Sequence, residues 1–201
     1  MALPRPVWIV VVSIMLLLAA LPVSWRLWPA RSPAAVTIDH SAVQHLGQLQ
    51  DQYGNRAADS LQGQSWSLVL FGFTHCADIC PVTLSRVAQV LEHLGEDAER
   101  LQPVFVTLDP ERDTPAHLAA YLAFFDERIL GLSGTDEQTQ QVANAWGVYS
   151  RRVPTRNSYM LDHSTGVYLL SPEGQLRRRF SGNEDAQSLA SEIAVEQARS
   201  N

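Results

Sequence analysis

The sequence predicts an α/β domain in which helices cover both faces of a mixed central sheet, and three observations support this fold class. Apolar runs typical of buried strands alternate with stretches whose apolar residues recur at helical spacing. The order strand, helix, strand, helix predicts right-handed crossovers and therefore parallel strands at the centre of the sheet. A hairpin and a last helix then add antiparallel strands. Because the chain's 2 cysteines directly follow the first core strand, this order predicts a thioredoxin-like fold.

An apolar segment ahead of this domain predicts a single N-terminal transmembrane helix. Val7–Trp25 is an almost unbroken run of about 19 apolar residues, enough to cross a hydrocarbon core of about 30 Å. Tryptophans near its ends suit the membrane interface. A cleaved signal peptide is the alternative, but the tryptophan-rich sequence after the run is a poor approach to a cleavage site. We expect a membrane anchor over 1–28, a tether over 29–40 and a thioredoxin-like domain over 41–201.

Composition restricts the class of partner. The formal net charge is −6, and no run of like charge is longer than Arg177–Arg179. These features argue against a nucleic-acid partner. The chain has no glycine-rich phosphate loop, so nothing indicates a nucleotide or flavin cofactor.

The first half of the domain contains the predicted strand–helix–strand–helix core. Pro81 and Pro115 suit first helical turns, and Thr114 or Asp113 is the expected cap of the second helix. The predicted elements are a hairpin over Gln48–Ser65, a strand over Trp66–Phe73, a helix over Pro81–Leu94, a strand over Gln102–Leu108 and a helix from Pro115.

The second half predicts shorter elements. A turn at Ser171–Gly174 joins two of its strands into a hairpin. The predicted elements are a strand over Ile129–Leu132, a helix over Asp136–Trp146, strands over Ser158–His163, Gly166–Leu170 and Gln175–Phe180, and a helix over Glu184–Gln197.

Cys76 and Cys80 lie between the first core strand and the N-terminus of the following helix. The electropositive helix terminus favours thiolates there, and thiolates perform redox chemistry, bind soft metals such as copper or zinc, or do both. A purely structural disulfide is a weaker alternative, since closing a five-residue loop contributes only about 2 kcal/mol. Three residues separate the pair, whereas thioredoxin-like redox motifs have two.

Several blocks of the sequence resemble the SCO/SenC family, in the family's order and over most of residues 48–182. The blocks are Asp51–Asn55, Phe71–Pro81, Thr107–Pro115, Tyr159–Ser164, Tyr168–Leu169 and Pro172–Gly174. One departure is Ala77, where the family usually has proline between the cysteines, and this change removes no ligand.

The resemblance implies a membrane-anchored, thioredoxin-like protein that faces the periplasm or the intermembrane space. Family members bind copper through two cysteines and a distant histidine and help to metallate the binuclear copper centre of cytochrome c oxidase. The matching ligands are Cys76, Cys80 and His163, which would hold Cu(I) or Cu(II). The implied partners are the oxidase copper subunit, other copper chaperones or thiol reductants, and the membrane. The implied location is a bacterial inner membrane, crossed once, with the domain in the periplasm.

Two functions from different classes remain open. The first is a copper metallochaperone. The second is a thiol–disulfide oxidoreductase that keeps the cysteines of the oxidase copper subunit, or of another extracytoplasmic target, reduced. Both use Cys76 and Cys80 as a redox-active pair, and they differ at His163, which thiol exchange does not need.

Four other titratable residues have simpler predicted roles. His75 is expected to structure the cysteine loop. Asp109 and Asp113 are expected to start a turn and to cap a helix, with a carboxylate near the site as the alternative. Asp162 is a candidate to orient His163 as a hydrogen-bond acceptor.

Overall fold

The structure, a computed structural model of the chain, describes residues 40–61 and 65–199. Its helices are α1 (His40–Gly47), α2 (Ala57–Ser60), α3 (Ile79–Leu94), α4 (Pro115–Leu122), α5 (Asp136–Ala145) and α6 (Ala186–Arg199), with a 3₁₀ turn over Gly95–Arg100. Its strands are β1 (Gln50–Asp51), β2 (Trp66–Gly72), β3 (Leu101–Thr107), β4 (Leu130–Ser133), β5 (Ser150–Pro154), β6 (Tyr159–His163), β7 (Val167–Leu170) and β8 (Leu176–Phe180).

Six strands form one mixed sheet in the order β1-β4-β3-β2-β7-β8. The three central strands β4, β3 and β2 run parallel, while β1, β7 and β8 pair antiparallel to their neighbours. The predicted fold class is therefore confirmed for this domain: a parallel core built by crossovers, extended by an antiparallel hairpin.

Helices bury both faces of the sheet because side chains alternate along its strands. Leu68 and Leu70 of β2 face a cluster that includes residues of α3, α4 and α6. Val69 and Phe71 face a second cluster that includes residues of α1 and α5. Strands buried on both faces read as continuous apolar runs, which explains why β2 and β3 were recognisable in the sequence.

The predicted hairpin over Gln48–Ser65 is largely wrong. Gln50 makes a single bridge to Arg56, and the chain then forms α2. The carboxylate of Asp51 folds the turn by accepting hydrogen bonds from the backbone N–H groups of Tyr53 and Asn55, both at 2.9 Å. β1 itself pairs with β4, so this segment extends the main sheet.

A second, two-stranded sheet is formed by β5 and β6, with Ser150 opposite His163 and Pro154 opposite Tyr159. The sequence predicted β6 but not β5. The β5 residues after Ser150 are all exposed, so this strand lacks the apolar alternation that identifies a half-buried strand. We call β5 and β6 together the histidine hairpin, because His163 is its last residue.

The predicted membrane anchor over 1–28 lies outside the described residues, as does the predicted tether apart from its last residue, His40. In the part of the chain that is described, none of the helices has the length and apolar character needed to cross a bilayer.

Candidate metal centre

Two sulfur atoms and one imidazole nitrogen meet at one end of the sheet. Cys76 lies in the loop after β2, Cys80 in the first turn of α3 and His163 at the end of β6. One donor atom from each lies within 4.8 Å of the other two. Cys80 Sγ is 3.9 Å from His163 Nε2. The structure thus brings together the three residues that the sequence singled out.

Gly72 makes room for the sulfur of Cys80. Because α3 begins at Ile79, two residues before the predicted start, Cys80 points back from the first helical turn onto the end of β2. A Cβ atom at Gly72 would lie 2.8 Å from Cys80 Sγ and 2.9 Å from the Phe105 ring. No side chain fits between strand and thiol, and the sequence alone did not indicate this requirement.

The predicted lowering of thiol pKa values is wrong for Cys80. Only 4% of this residue is exposed. Burial raises the pKa of its thiol to about 12, against which a backbone hydrogen bond from Phe73 acts in the opposite direction. The helix terminus does not offset the loss of hydration, so the metal-free Cys80 carries a proton at neutral pH. A metal ion that binds this sulfur must displace the proton.

Cys76 is the more accessible of the two cysteines. It is half-buried, and its backbone N–H donates to the Phe73 carbonyl oxygen at 3.2 Å, which folds the loop back towards β2. Both cysteines are free thiols in this structure.

The backbone sets the tautomer of His163. Its Nδ1 lies 2.9 Å from the carbonyl oxygen of Ser164. A carbonyl oxygen only accepts hydrogen bonds, so the neutral ring carries its proton on Nδ1 and leaves the Nε2 lone pair free. This is the form in which imidazole binds metals, and Nε2 is the atom that faces Cys80. The ring also packs edge-on against Phe73, with ring centroids 5.7 Å apart.

Asp162 does not orient His163, contrary to one of the sequence hypotheses. Its carboxylate points to the outer face of the histidine hairpin and pairs with Arg151 at 3.4 Å. Both side chains are largely exposed. The Ser164 carbonyl takes the role considered for Asp162, and a backbone acceptor cannot be recognised from residue types.

Asp113 holds the cysteine loop instead of capping α4. Its buried carboxylate accepts from the Thr74 backbone N–H at 3.0 Å, the Thr74 hydroxyl at 2.5 Å and the Thr107 hydroxyl at 2.6 Å. The cap of α4 is Thr114, whose hydroxyl accepts from the His117 N–H at 3.3 Å. The prediction of a cap at Asp113 or Thr114 is therefore right for Thr114 alone.

His75 supports the same loop, as the sequence predicted. Its Nδ1 lies 3.1 Å from the Thr74 hydroxyl oxygen and 3.8 Å from Asp113 Oδ1. The other side of its ring packs against His117, with ring centroids 5.5 Å apart.

Asp109 links the loop after β3 to the histidine hairpin. Its carboxylate has no exposed surface. It accepts from the Tyr159 hydroxyl at 2.6 Å and from Arg112 Nε at 2.5 Å. The role of starting a turn, predicted for Asp109, omits these tertiary contacts. Sequence reasoning did not select Tyr159 or Arg112, because their contacts join residues 47 and 50 positions apart in the chain.

The chain matches the sequence profile of the SCO1/SenC family over residues 35–197. A mitochondrial SCO2 homologue of Bos taurus is 38% identical over 159 residues, which are 77% of this chain and 57% of that protein. The chain thus spans little more than half the length of this mitochondrial relative. An SCO2-like protein of Rickettsia conorii is 36% identical over 180 residues, covering 86% of this chain and 87% of the relative.

Solved structures share both the fold and the sequence. Copper-bound ScoI of Bradyrhizobium japonicum superposes with a TM-score of 0.67 at 36% identity, covering 73% of this chain and 94% of that one. Copper-bound ScoI of Arabidopsis thaliana gives a TM-score of 0.71 at 33% identity, with 75% and 95% covered.

Proposed function

The chain belongs to the SCO1/SenC family, and we propose that it is a copper metallochaperone whose Cys76, Cys80 and His163 hold the copper. The observation that carries this proposal is the meeting of their three donor atoms within 4.8 Å of one another. The copper is cargo, so the site must both bind it and release it.

The donor set fits a soft ion. Thiolate sulfurs select Cu(I), and imidazole also suits copper. With metal–sulfur and metal–nitrogen bonds of about 2.0–2.3 Å, the values for zinc, three donors spaced evenly around one ion lie roughly 3.5–4.0 Å apart. The 3.9 Å between Cys80 Sγ and His163 Nε2 already fits this range, and the other separations, within 4.8 Å, need a contraction of at most about 1 Å. Zinc would accept the same three donors, so the copper-bound relatives are what favour copper.

The proposed recipient is the copper subunit of cytochrome c oxidase, since the Sco family is one of cytochrome c oxidase assembly proteins. His163 lies at the end of β6, outside the main sheet, so its departure from the copper would leave the pairing of that sheet intact. Copper donors and thiol reductants are the other expected partners, the latter because loading requires two free thiols.

We propose that residues 1–28 anchor the protein in a bacterial inner membrane and that residues 29–40 tether a periplasmic domain over 41–201. The apolar run Val7–Trp25 supports the anchor. Relatives occur both in mitochondria and in the bacterium Rickettsia conorii.

The test is copper binding by the reduced full chain in detergent micelles. We expect one Cu(I) per chain, and His163→Ala should weaken binding by more than about a hundredfold, because even outer partners of a ligand are worth about 10–100-fold. His93→Ala removes an exposed histidine of α3 and is the matched control. Equal affinity of His163→Ala and His93→Ala would remove His163 from the site.

A thiol–disulfide oxidoreductase is the second candidate, favoured by the proximity of an accessible thiol to a buried one. In this reaction the dithiol passes two electrons and two protons to a target disulfide, and a Cys76–Cys80 disulfide forms. Cys76 would attack first because it is the more exposed cysteine. The His163→Ala chain should then reduce a model disulfide at the wild-type rate, while Cys76→Ser should be inactive. A wild-type chain that reduces no disulfide would exclude this function.

A further inference from the structure

We propose that Asp109, Arg112 and Tyr159 form a brace that holds the histidine hairpin against the body of the domain and so positions His163 for the copper. The inference rests on the proposed copper site and adds positioning residues that make no contact with the metal. It assigns to the brace control over how tightly the copper is held and how fast it leaves.

The contacts between the histidine hairpin and the loop after β3 are concentrated at one residue, Tyr159. Arg112 Nη1 donates to the Tyr159 carbonyl oxygen at 3.0 Å, while its guanidinium carbon lies 3.8 Å from the centroid of the Tyr159 ring. The hydroxyl of Tyr159 and Arg112 Nε both donate to the buried carboxylate of Asp109. Backbone, ring and hydroxyl of one residue are thus all held by the loop that follows β3.

The guanidinium of Arg112 stacks on aromatic rings. Its Nη2 is buried and has no hydrogen-bond partner among the described residues. Such a nitrogen is costly unless another interaction compensates for its lost hydration, and cation–π attraction to an aromatic face does so. Arg112 faces Tyr159 closely and Phe73 at 6.0 Å, and Phe73 is the ring against which His163 packs.

Strand β6 connects the position of Tyr159 to the position of His163. Side chains two residues apart share a face of a strand, so Tyr159, Leu161 and His163 point to the same side. Tyr159 belongs to the brace, Leu161 is buried in the core with 8% exposure, and His163 is the last residue of the strand. The strand is short, so a shift at Tyr159 moves His163 with it.

The other polar supports of the hairpin are weak. Within the described residues, the hairpin pairs with no strand of the main sheet. Its ion pairs Arg151–Asp162, Arg152–Glu111 and Arg152–Asp136 involve exposed side chains, and exposed pairs contribute little. The brace is the buried polar attachment of the hairpin, and the position of His163 depends on it.

The same loop supports both halves of the site. Asp113 holds the cysteine loop through Thr74, and Asp109, four residues earlier, holds the histidine hairpin through Tyr159. The separation between sulfurs and imidazole is therefore set by one short segment. Loosening one end leaves the sulfurs in place and moves only the imidazole.

The experiment measures Cu(I) affinity and the rate of copper release to a chelator for the reduced full chain. Tyr159→Phe removes the hydroxyl but keeps the ring, and Arg112→Lys keeps the charge but loses the planar stack. We expect each variant to weaken affinity and to speed release about tenfold, the lower range for outer partners of a metal ligand. Arg151→Lys, on the outer face of the same hairpin, and Tyr149→Phe are matched controls that should equal wild type.

A double-mutant cycle separates positioning of His163 from general loosening of the fold. In a His163→Ala background, Tyr159→Phe and Arg112→Lys should cause no further loss. An equal loss in both backgrounds, or no loss in either, overturns the brace while leaving the proposed function intact. A His163→Ala chain that binds copper as wild type does overturns both. If one brace variant does not fold, the other supplies the cycle.

Discussion

Gly72 shows how much the site depends on a missing side chain. Its backbone forms the wall against which the Cys80 sulfur rests, and the Phe105 ring closes the same space. The φ of Gly72 is not positive, so its backbone conformation does not require glycine. Glycine is needed there because the thiol and the ring approach the backbone closely. A single methyl group would force either the thiol or the ring to move.

We therefore expect Gly72→Ala to lower the free energy of unfolding by about 1–3 kcal/mol, the usual cost of overpacking a core. Copper affinity should fall as well, because the displaced atom is a proposed ligand. Urea unfolding and a copper competition assay of the reduced chain measure the two effects. Gly166→Ala is the matched control, since its added Cβ would meet no atom closer than 3.6 Å. Equal losses in both variants would contradict the close-approach argument.

At the scale of elements, the histidine hairpin differs from the central strands of the main sheet. β2 is paired on both sides, by β3 and by β7, whereas β5 and β6 pair only with each other. An isolated two-stranded hairpin is marginally stable in water. The proposed third ligand thus sits on a hairpin outside the main sheet, while the two sulfurs lie beside the buried central strand β2.

This difference predicts unequal hydrogen exchange. In the copper-free chain, amides of β5 and β6 should exchange through local opening, well before those of β2 and β3, because few buried contacts hold the hairpin. The β7–β8 hairpin is the internal control, since it is also antiparallel but belongs to the main sheet. Copper loading should slow exchange in β6. Equal protection of the two hairpins without copper would show that the histidine hairpin is not an independent unit.

At the scale of the whole molecule, burial of a thiol couples stability to alkaline pH. The pKa of Cys80 rises from an ordinary 9.0 to about 12 on folding. Below pH 9 both states keep the proton, and the contribution of the buried thiol is complete. As pH rises from 9 towards 12, the unfolded chain releases the proton while the folded chain retains it. The stability of the reduced, copper-free protein must therefore fall in this window.

Cys80 should contribute about 1 kcal/mol per pH unit to the slope between pH 9 and 10, because its thiol is only partly ionised in the unfolded chain at the start of this interval. Tyr121, Tyr159 and Tyr168, whose pKa values folding also raises, contribute to the same slope, so the share of Cys80 is the difference between wild type and Cys80→Ala. Urea unfolding at a series of pH values measures the slope. Cys80→Ala should reduce it by that amount even if its absolute stability is lower. An unchanged slope in Cys80→Ala would contradict a buried, protonated thiol.

The sequence determined the features that depend on local pattern. The apolar runs of β2 and β3 and the capping signal at Thr114 identified the parallel core and its helices, because buried strands and helix caps carry their own residue types. Two closely spaced cysteines after a core strand selected Cys76 and Cys80 as candidates, and the resemblance to the SCO/SenC family added His163. These inferences needed no knowledge of which distant residues touch.

Tertiary structure decided everything that depends on burial and on partners distant in the chain. The pKa of Cys80 follows from desolvation by packing against Gly72, and it reverses the prediction made from the helix terminus alone. Asp109 and Asp113 looked like residues of a turn and a cap, yet their carboxylates bind Tyr159 and Thr74 across the fold. Residue types and spacing specify which groups are present, but hydration and hydrogen-bond partners exist only once the chain has brought its surfaces together.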